Sequence, residues 1–220
     1  VAAGADAIGF VFYPPSPRYV TPERAAELAR RLPPFVAAVG LFVNPEPAQV
    51  EAVLAKVPLE VLQFHGDETE SQCRRYLRPY LKAARVRPDL DLVQYAAAYP
   101  SARAILLDAF VDGYGGGGKT FDWSLIPAGL AQSIVLSGGL DGDNVAEAVR
   151  RVRPAAVDVS SGVEAAKADL VELQKTPVGV DLPNLQASLT ALRGLQAVPD
   201  RRIEGAAPAA AKTAAPAKKN

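Results

Sequence analysis

Three apolar segments of this chain each run into a polar or glycine-rich turn, and those turns carry the residues best suited to chemistry. They read Ala104-Ile105-Leu106-Leu107-Asp108, Ile134-Val135-Leu136-Ser137-Gly138-Gly139 and Ala156-Val157-Asp158-Val159-Ser160-Ser161-Gly162. Gly138, Gly139, Ser160, Ser161 and Gly162 form small turns rich in backbone N–H groups, which can wrap a phosphate, above all beside a helix N-terminus. Asp108 is the carboxylate that ends a strand opposite them. In a water-poor pocket its pKa can rise enough for it to serve as a proton donor. An acid facing a phosphate cradle points to chemistry on a sugar phosphate. Asp158 lies two residues before Ser160 and suits orienting a loop or the substrate better than moving a proton.

Four other features compete for a role. The segment Tyr13-Pro14-Pro15-Ser16-Pro17-Arg18-Tyr19 is stiffened by its prolines, which fix φ. It can hold Arg18 over a pocket, where the guanidinium fork grips a carboxylate, or simply display a surface arginine. His65, the single histidine, ends a strand before Gly66 and Asp67; a lone histidine in that place serves as a polar rim residue more often than as a catalyst. Cys73 reads as lying on a helix away from the strand ends, and with no second histidine no zinc site is expected. The letters from Gly113 to Thr120 fit the Walker A expression, but Phe121-Asp122-Trp123 stands where its helix should begin. Gly115, Gly116, Gly117 and Gly118 are therefore read as a mobile lid.

Composition narrows the class. The 220 residues are 49% hydrophobic and 22% charged, which suits one globular α/β domain with a sizeable core. Lys+Arg and Asp+Glu balance at 24 each, so neither nucleic acid nor a membrane surface is favoured as a partner. One cysteine allows no intrachain disulfide and fits a cytoplasmic location. No stretch reaches the ~18 apolar residues of a transmembrane helix. From about Pro199 the chain turns to Ala, Pro and Lys, the composition of a disordered tail. This divides it into a domain over 1–198 and a tail over 199–220.

The elements that must position these residues alternate strand, turn and helix. Strands are expected at Ala7–Phe12, Val36–Val43, Glu60–Phe64, Leu81–Val86 (the weakest), and at the segments beginning with Ala104, Ser133 and Ala156. Helices are expected from Thr21-Pro22-Glu23 to about Leu32, from Asn44-Pro45 to about Lys56, at Glu68–Leu77, Leu90–Ala98, Asp143–Arg151 and Leu185–Leu195, with a short one at Ser124–Ala131. Near-continuous apolar strands separated by helices imply a parallel sheet covered by helices. A doubly wound sheet and a barrel both satisfy this. Polar groups at almost every strand end, and no Gly-x-Gly-x-x-Gly after the first strand, favour the barrel.

Taken in order, the chain resembles the phosphoribosylanthranilate isomerase family of tryptophan biosynthesis. The resemblance rests on Gly4 through Val20, Val39-Gly-Leu-Phe-Val-Asn44, Leu62-Gln-Phe-His-Gly66, Leu106-Leu-Asp108, Gly115 through Trp123, Leu136-Ser-Gly-Gly-Leu140 and Val157 through Glu164. It implies a (β/α)8 TIM barrel of the ribulose-phosphate-binding type. The implied reaction is an Amadori rearrangement of N-(5-phosphoribosyl)anthranilate to 1-(2-carboxyphenylamino)-1-deoxyribulose 5-phosphate, an aldose–ketose isomerisation. No metal or organic cofactor is implied, and the partners are the substrate alone, with the chain a monomer or a homodimer. By the resemblance Asp108 is the general acid and Arg18 holds the anthranilate carboxylate. His65 and Asp158 line the substrate site, backbone groups at Gly138, Gly139, Ser160, Ser161 and Gly162 hold the phosphate, and the glycine-rich lid closes over the sugar.

The chain departs from the family pattern twice. The family's first strand carries a Cys-Gly-Ile segment whose cysteine is the general base on the C2′ proton, and this sequence begins beyond it. The expectation is a barrel lacking its first strand, inactive or nearly so by itself. Residues 165–176 read as an insert after the last strand. Two other functions fit the class: an isomerase of the histidine-pathway type, disfavoured because one phosphate half is evident rather than two, and a non-catalytic sugar-phosphate-binding barrel.

Overall fold

The computed structural model describes residues 1, 3–110, 120–130 and 132–164. Seven strands are joined in one parallel sheet whose spatial order follows the chain: β1 (Ala7–Val11), β2 (Ala37–Phe42), β3 (Val61–Phe64), β4 (Tyr80–Val86), β5 (Ala104–Ala109), β6 (Ser133–Leu136) and β7 (Ala156–Val157). Helices α1 (Pro22–Ala29), α2 (Pro47–Leu54), α3 (Glu70–Arg74), α4 (Leu92–Ala97) and α5 (Val145–Val152) separate all but one neighbouring pair. Strictly sequential order is the barrel arrangement; a doubly wound sheet reverses at a switch point. The seven strands curl into a partial barrel, and no β1–β7 pairing occurs among the described residues. The domain and tail boundaries near 198, the Leu185–Leu195 helix and the 165–176 insert lie outside those residues.

Local chemistry explains the helix starts. Thr21 is the N-cap of α1, its hydroxyl accepting from Arg24 N, with Pro22 at the first helical position. Thr69 and Gln72 form a capping box on α3. Two sequence expectations need correction. The expected helix at Ser124–Ala131 is a single 3₁₀ turn, Trp123–Leu125, capped by Asp122; Pro127 and Gly129 deny the segment a regular ladder. The strand expected to be the weakest, β4, is the longest, with seven residues.

Alternation along the strands divides the side chains into two layers. Phe10, Phe42, Leu62, Phe64, Tyr80, Ala84, Ile105 and Leu107 face the helices and belong to the main core, which also holds Ala25, Val50, Val53, Leu92 and Ala96. Phe12, Phe42, Phe64 and Tyr80 form a continuous aromatic row, with ring centroids 5.3, 6.2 and 6.0 Å apart. Gln63, Leu81, Ala83, Arg85, Leu106 and Asp108 occupy the other face, the barrel interior. The registers Gln63↔Leu81, Ala83↔Leu106 and Arg85↔Asp108 put them in adjoining rows. The C-terminal ends of the interior rows form the mouth.

Candidate active site

Asp108 sits next to last in β5, a strand whose six residues are all buried. Its Oδ1 accepts from the Ala109 N–H at 2.9 Å, and its Oδ2 lies 3.0 Å from His65 Nε2. His65 follows β3, tied to the sheet by its own N–H donating to the Phe42 carbonyl at 2.9 Å. On its other side, His65 Nδ1 lies 3.2 Å from the Gln63 amide nitrogen. With that nitrogen turned toward the ring, Nδ1 accepts, so the neutral imidazole carries its hydrogen on Nε2 and donates it to Asp108. The lone histidine is thus no idle rim residue. It is the bonded neighbour of the proposed acid, with both side chains largely shielded from solvent.

The turn after His65 is fixed by a buried ionic knot that sequence reasoning missed. Lys82 Nζ, fully buried, donates to the Gly66 carbonyl at 2.6 Å and to Glu68 Oε2 at 2.9 Å. Glu68 accepts from the backbone N–H groups of Asn44 and Gly66. Tyr99, on the turn after α4, places its ring 5.4 Å from Lys82 Nζ and donates its hydroxyl to the Glu68 carbonyl. The knot joins the ends of β2 and β3 to the middle of β4 behind the mouth.

Gly138 and Gly139 follow β6 with φ of +84° and +63°. A Cβ at Gly138 would lie 2.5 Å from Ala109 N and 2.9 Å from Asp108 Oδ1. The position therefore needs glycine twice over, for its backbone conformation and for its contact with the acid. Asn144 donates to the Gly139 carbonyl at 2.8 Å, tying the turn to the start of α5. Ser160, Ser161 and Gly162 make the facing turn, in which the Val163 and Glu164 N–H groups donate to the Ser160 and Ser161 carbonyls. Gly162 bridges Asp141, and a Cβ on it would lie 1.9 Å from the Leu140 carbonyl oxygen, so the two glycine-bearing turns are in direct contact.

Asp158 N donates to the Leu136 carbonyl at 2.8 Å, and the carboxylate accepts from Ser137 Oγ at 3.3 Å. Water reaches Asp158, yet dense protein surrounds its carboxyl. That desolvation pushes its pKa above the ordinary aspartate value, the Ser137 bond and the His65 ring opposing and the Asp108 charge adding to it. Contact with water limits how far such a shift goes. Arg18 hangs from a tightly folded loop: Ser16 N donates to the Tyr13 carbonyl, Arg18 N to Ser16 Oγ, and Val20 N to the Val11 carbonyl. Its Nε pairs with Glu164 Oε1 at 2.8 Å.

The remaining expectations separate cleanly. The glycines of the expected lid, Gly115 to Gly118, lie outside the described residues. Cys73 is fully buried on α3 in the helix-facing layer, and burial pushes its thiol up to about 12, so it stays protonated and unreactive. Among the described residues no three His, Cys, Asp or Glu side chains gather as a metal site. None of the helices there is long and apolar enough to cross a membrane. Arg85, which sequence reasoning did not single out, neighbours Asp108 on the interior face and pairs with Asp67 at 3.2 Å.

A parallel barrel that gathers an imidazole-bound carboxyl and two touching glycine turns at its C-terminal mouth belongs to the sugar-phosphate class of TIM-barrel enzymes. A family model described as N-(5′-phosphoribosyl)anthranilate (PRA) isomerase matches residues 1–169, and the chain belongs to that family. The N-(5′-phosphoribosyl)anthranilate isomerase of Dechloromonas aromatica is 67% identical over 167 residues, covering 76% of this chain and 80% of that protein. The one of Leptothrix cholodnii is 64% identical, covering 76% of each. Among solved structures, phosphoribosyl anthranilate isomerase from Thermotoga maritima superposes with a TM-score of 0.71 at 42% identity, over 88% of this chain and 90% of that one. The Thermus thermophilus enzyme does so with 0.69 at 30% identity, over the same shares. Family membership sets aside the histidine-pathway and non-catalytic alternatives.

Proposed function

We propose that this chain isomerises N-(5′-phosphoribosyl)anthranilate by the Amadori rearrangement, with Asp108 as general acid. A solved phosphoribosyl anthranilate isomerase of the family is described in complex with reduced 1-(o-carboxyphenylamino)-1-deoxyribulose 5-phosphate, an analogue of that product. The observation that carries the assignment of the acid is the His65–Asp108 contact at the mouth, 3.0 Å long and beside the Gly138 turn.

In this reading the Asp108 carboxyl gives a proton to the ribose ring oxygen as the C1′–O bond breaks. The anthranilate nitrogen supplies the electron pair that makes the C1′=N bond of the Schiff base. Loss of the C2′ proton then returns electrons to nitrogen and leaves an enol, which settles as the ketone; no redox partner enters. His65 holds the carboxyl group in place. No described residue is assigned to the C2′ proton, since Cys73 is buried on the far layer. The turns at Gly138, Gly139, Ser160, Ser161 and Gly162 hold the phosphate by backbone N–H groups, Asp158 orients the sugar, and Arg18 receives the anthranilate carboxylate.

The test is the loss of substrate fluorescence, with substrate generated in place from anthranilate and phosphoribosyl pyrophosphate. Turnover is expected once a Cys-Gly-Ile strand is placed ahead of Val1, with its loss in the Asp108→Asn form of that protein; an Asp108→Asn variant with undiminished kcat overturns the assignment. The working form is a monomer or a homodimer, and a relative from Thermotoga maritima is described as a dimer from which monomers were generated. Sedimentation velocity separates the two states. A cytoplasmic location, expected from the cysteine usage, is tested by fractionation.

A further inference from the structure

We infer that Glu164 is the positioning residue of the carboxylate grip, so that one side chain links the phosphate end of the site to its carboxylate end. The inference rests on Arg18 as the residue that receives the substrate carboxylate.

Three observations carry it. Glu164 lies two residues past Gly162, and its N–H donates to Ser161 O at 3.1 Å, so its backbone belongs to the phosphate turn. Its Oε1 meets Arg18 Nε at 2.8 Å, joining residues 146 apart in sequence that follow β7 and β1, the two edge strands of the curled sheet. Among the described residues Nε is the one guanidinium nitrogen of Arg18 in a hydrogen bond, and both terminal nitrogens are left for an incoming ligand. A guanidinium anchored through Nε presents those two nitrogens as a fork of fixed orientation, the geometry that suits bidentate binding of a planar carboxylate.

The alternative meanings of the pair are weaker. Half-exposed Glu164 and third-exposed Arg18 make a pair that contributes little to stability. A carboxylate placed merely to compete with substrate would engage the terminal fork, whereas this one takes the side position. The turn from Ser160 to Gly162 is locked against Leu140 and Asp141, so Glu164 starts from a fixed base and hands that order to an arginine on the loop after β1.

Steady-state kinetics on Arg18→Ala, Glu164→Ala, Glu164→Gln and the double alanine variant, each with the Cys-Gly-Ile strand placed ahead of Val1, test this, together with dissociation constants for inorganic phosphate. Arg18→Ala is expected to raise KM about ten-fold or more, the loss of a charge-assisted bidentate contact. Glu164→Ala is expected to raise KM roughly three- to ten-fold with kcat within about two-fold, because orientation of a binding group is lost and not chemistry. Glu164→Gln, whose amide oxygen still accepts from Nε–H, is expected to recover most of that loss. The double variant should be no worse than Arg18→Ala, and phosphate affinity should stay unchanged in Glu164→Ala.

A Glu164→Ala KM that is unchanged or lower overturns the proposal and makes Glu164 a bystander or a competitor. A parallel loss of phosphate affinity overturns it too, since Glu164 would then act through the turn alone. If Arg18→Ala leaves KM unaltered, it is the carboxylate-grip reading itself that fails.

Discussion

His65 reaches Asp108 across an intervening strand: Nε2 and Oδ2 meet at 3.0 Å although β4 runs between β3 and β5. The contact is open because the interior row of β4 passes beneath it at Ala83, a small residue paired with Leu106. One step beyond Phe64↔Lys82 in the same register, His65 stands against Ala83. A methyl group there leaves the imidazole room to lean over to the next strand. The pair should therefore act as a unit. His65→Ala is expected to lower kcat roughly ten- to a hundred-fold, and Asp108→Asn by about 10²–10⁴-fold. The double variant should fall no further than Asp108→Asn, and single-turnover rates of the four proteins check this.

Gly138 is expected to tolerate no side chain. Its φ of +84° disfavours any L residue, and a Cβ would strike the Ala109 amide and the Asp108 carboxylate. Gly138→Ala should cost about 1–3 kcal/mol in urea denaturation. It should also reduce kcat, because the acid must move to make room. Gly129→Ala is the useful contrast. It shares a positive φ of 89°, but its Cβ would meet nothing within 4 Å, so only the backbone cost remains and kcat should hold.

The two lysine–carboxylate pairs among the described residues should differ sharply in what they contribute. Lys82–Glu68 is buried, at 0% and 4% exposure, whereas Lys56–Glu23 is 54% and 66% exposed. Lys82→Met strands the Glu68 carboxylate and should destabilise by about 3–5 kcal/mol. Lys56→Met should cost less than about 1 kcal/mol. Chemical denaturation of both variants measures the difference. The Lys82 variant should also lose activity below its unfolding midpoint, since the knot anchors the Gly66 turn beside His65.

Asp158 should set part of the acid-side stability profile, and with the opposite slope to a salt-bridged carboxylate. Its folded pKa is raised above the ordinary 3.8 by desolvation. As pH climbs through the interval above 3.8, the unfolded chain gives up this proton first and the folded chain retains it. Stability therefore falls with rising pH across that interval. Above the folded pKa the cost of the partly desolvated charge is present, held small by its contact with water. Asp158→Asn removes it, so the variant should gain stability relative to the parent at neutral pH and lose that advantage below pH 3.8. Melting curves of both proteins across the acid range test the sign.

The sequence by itself determined the elements and most of the site's cast. Apolar runs ended by polar turns marked six of the strands clearly, Thr21 and Pro22 marked the start of α1, and Asp108, Gly138 and Ser160 stood at strand ends because backbone periodicity alone puts them there. Such features are local: a cap, a turn or a two-residue alternation depends on neighbours within a few positions. Tertiary structure decided which of these groups meet. Nothing near His65 names Asp108, 43 residues on, and nothing near Arg18 names Glu164, 146 residues on. Gln63, Glu68 and Lys82 carried no site signal, and the segment Leu81–Val86 read as the weakest strand. Burial explains its length, because a lysine enclosed with a carboxylate, a carbonyl and a tyrosine ring is satisfied inside the fold, whereas in the bare sequence it is only a charge in an apolar run. The contact of imidazole with acid, and the order imposed on the arginine, come from curling the parallel sheet until strand ends distant in the chain share one mouth.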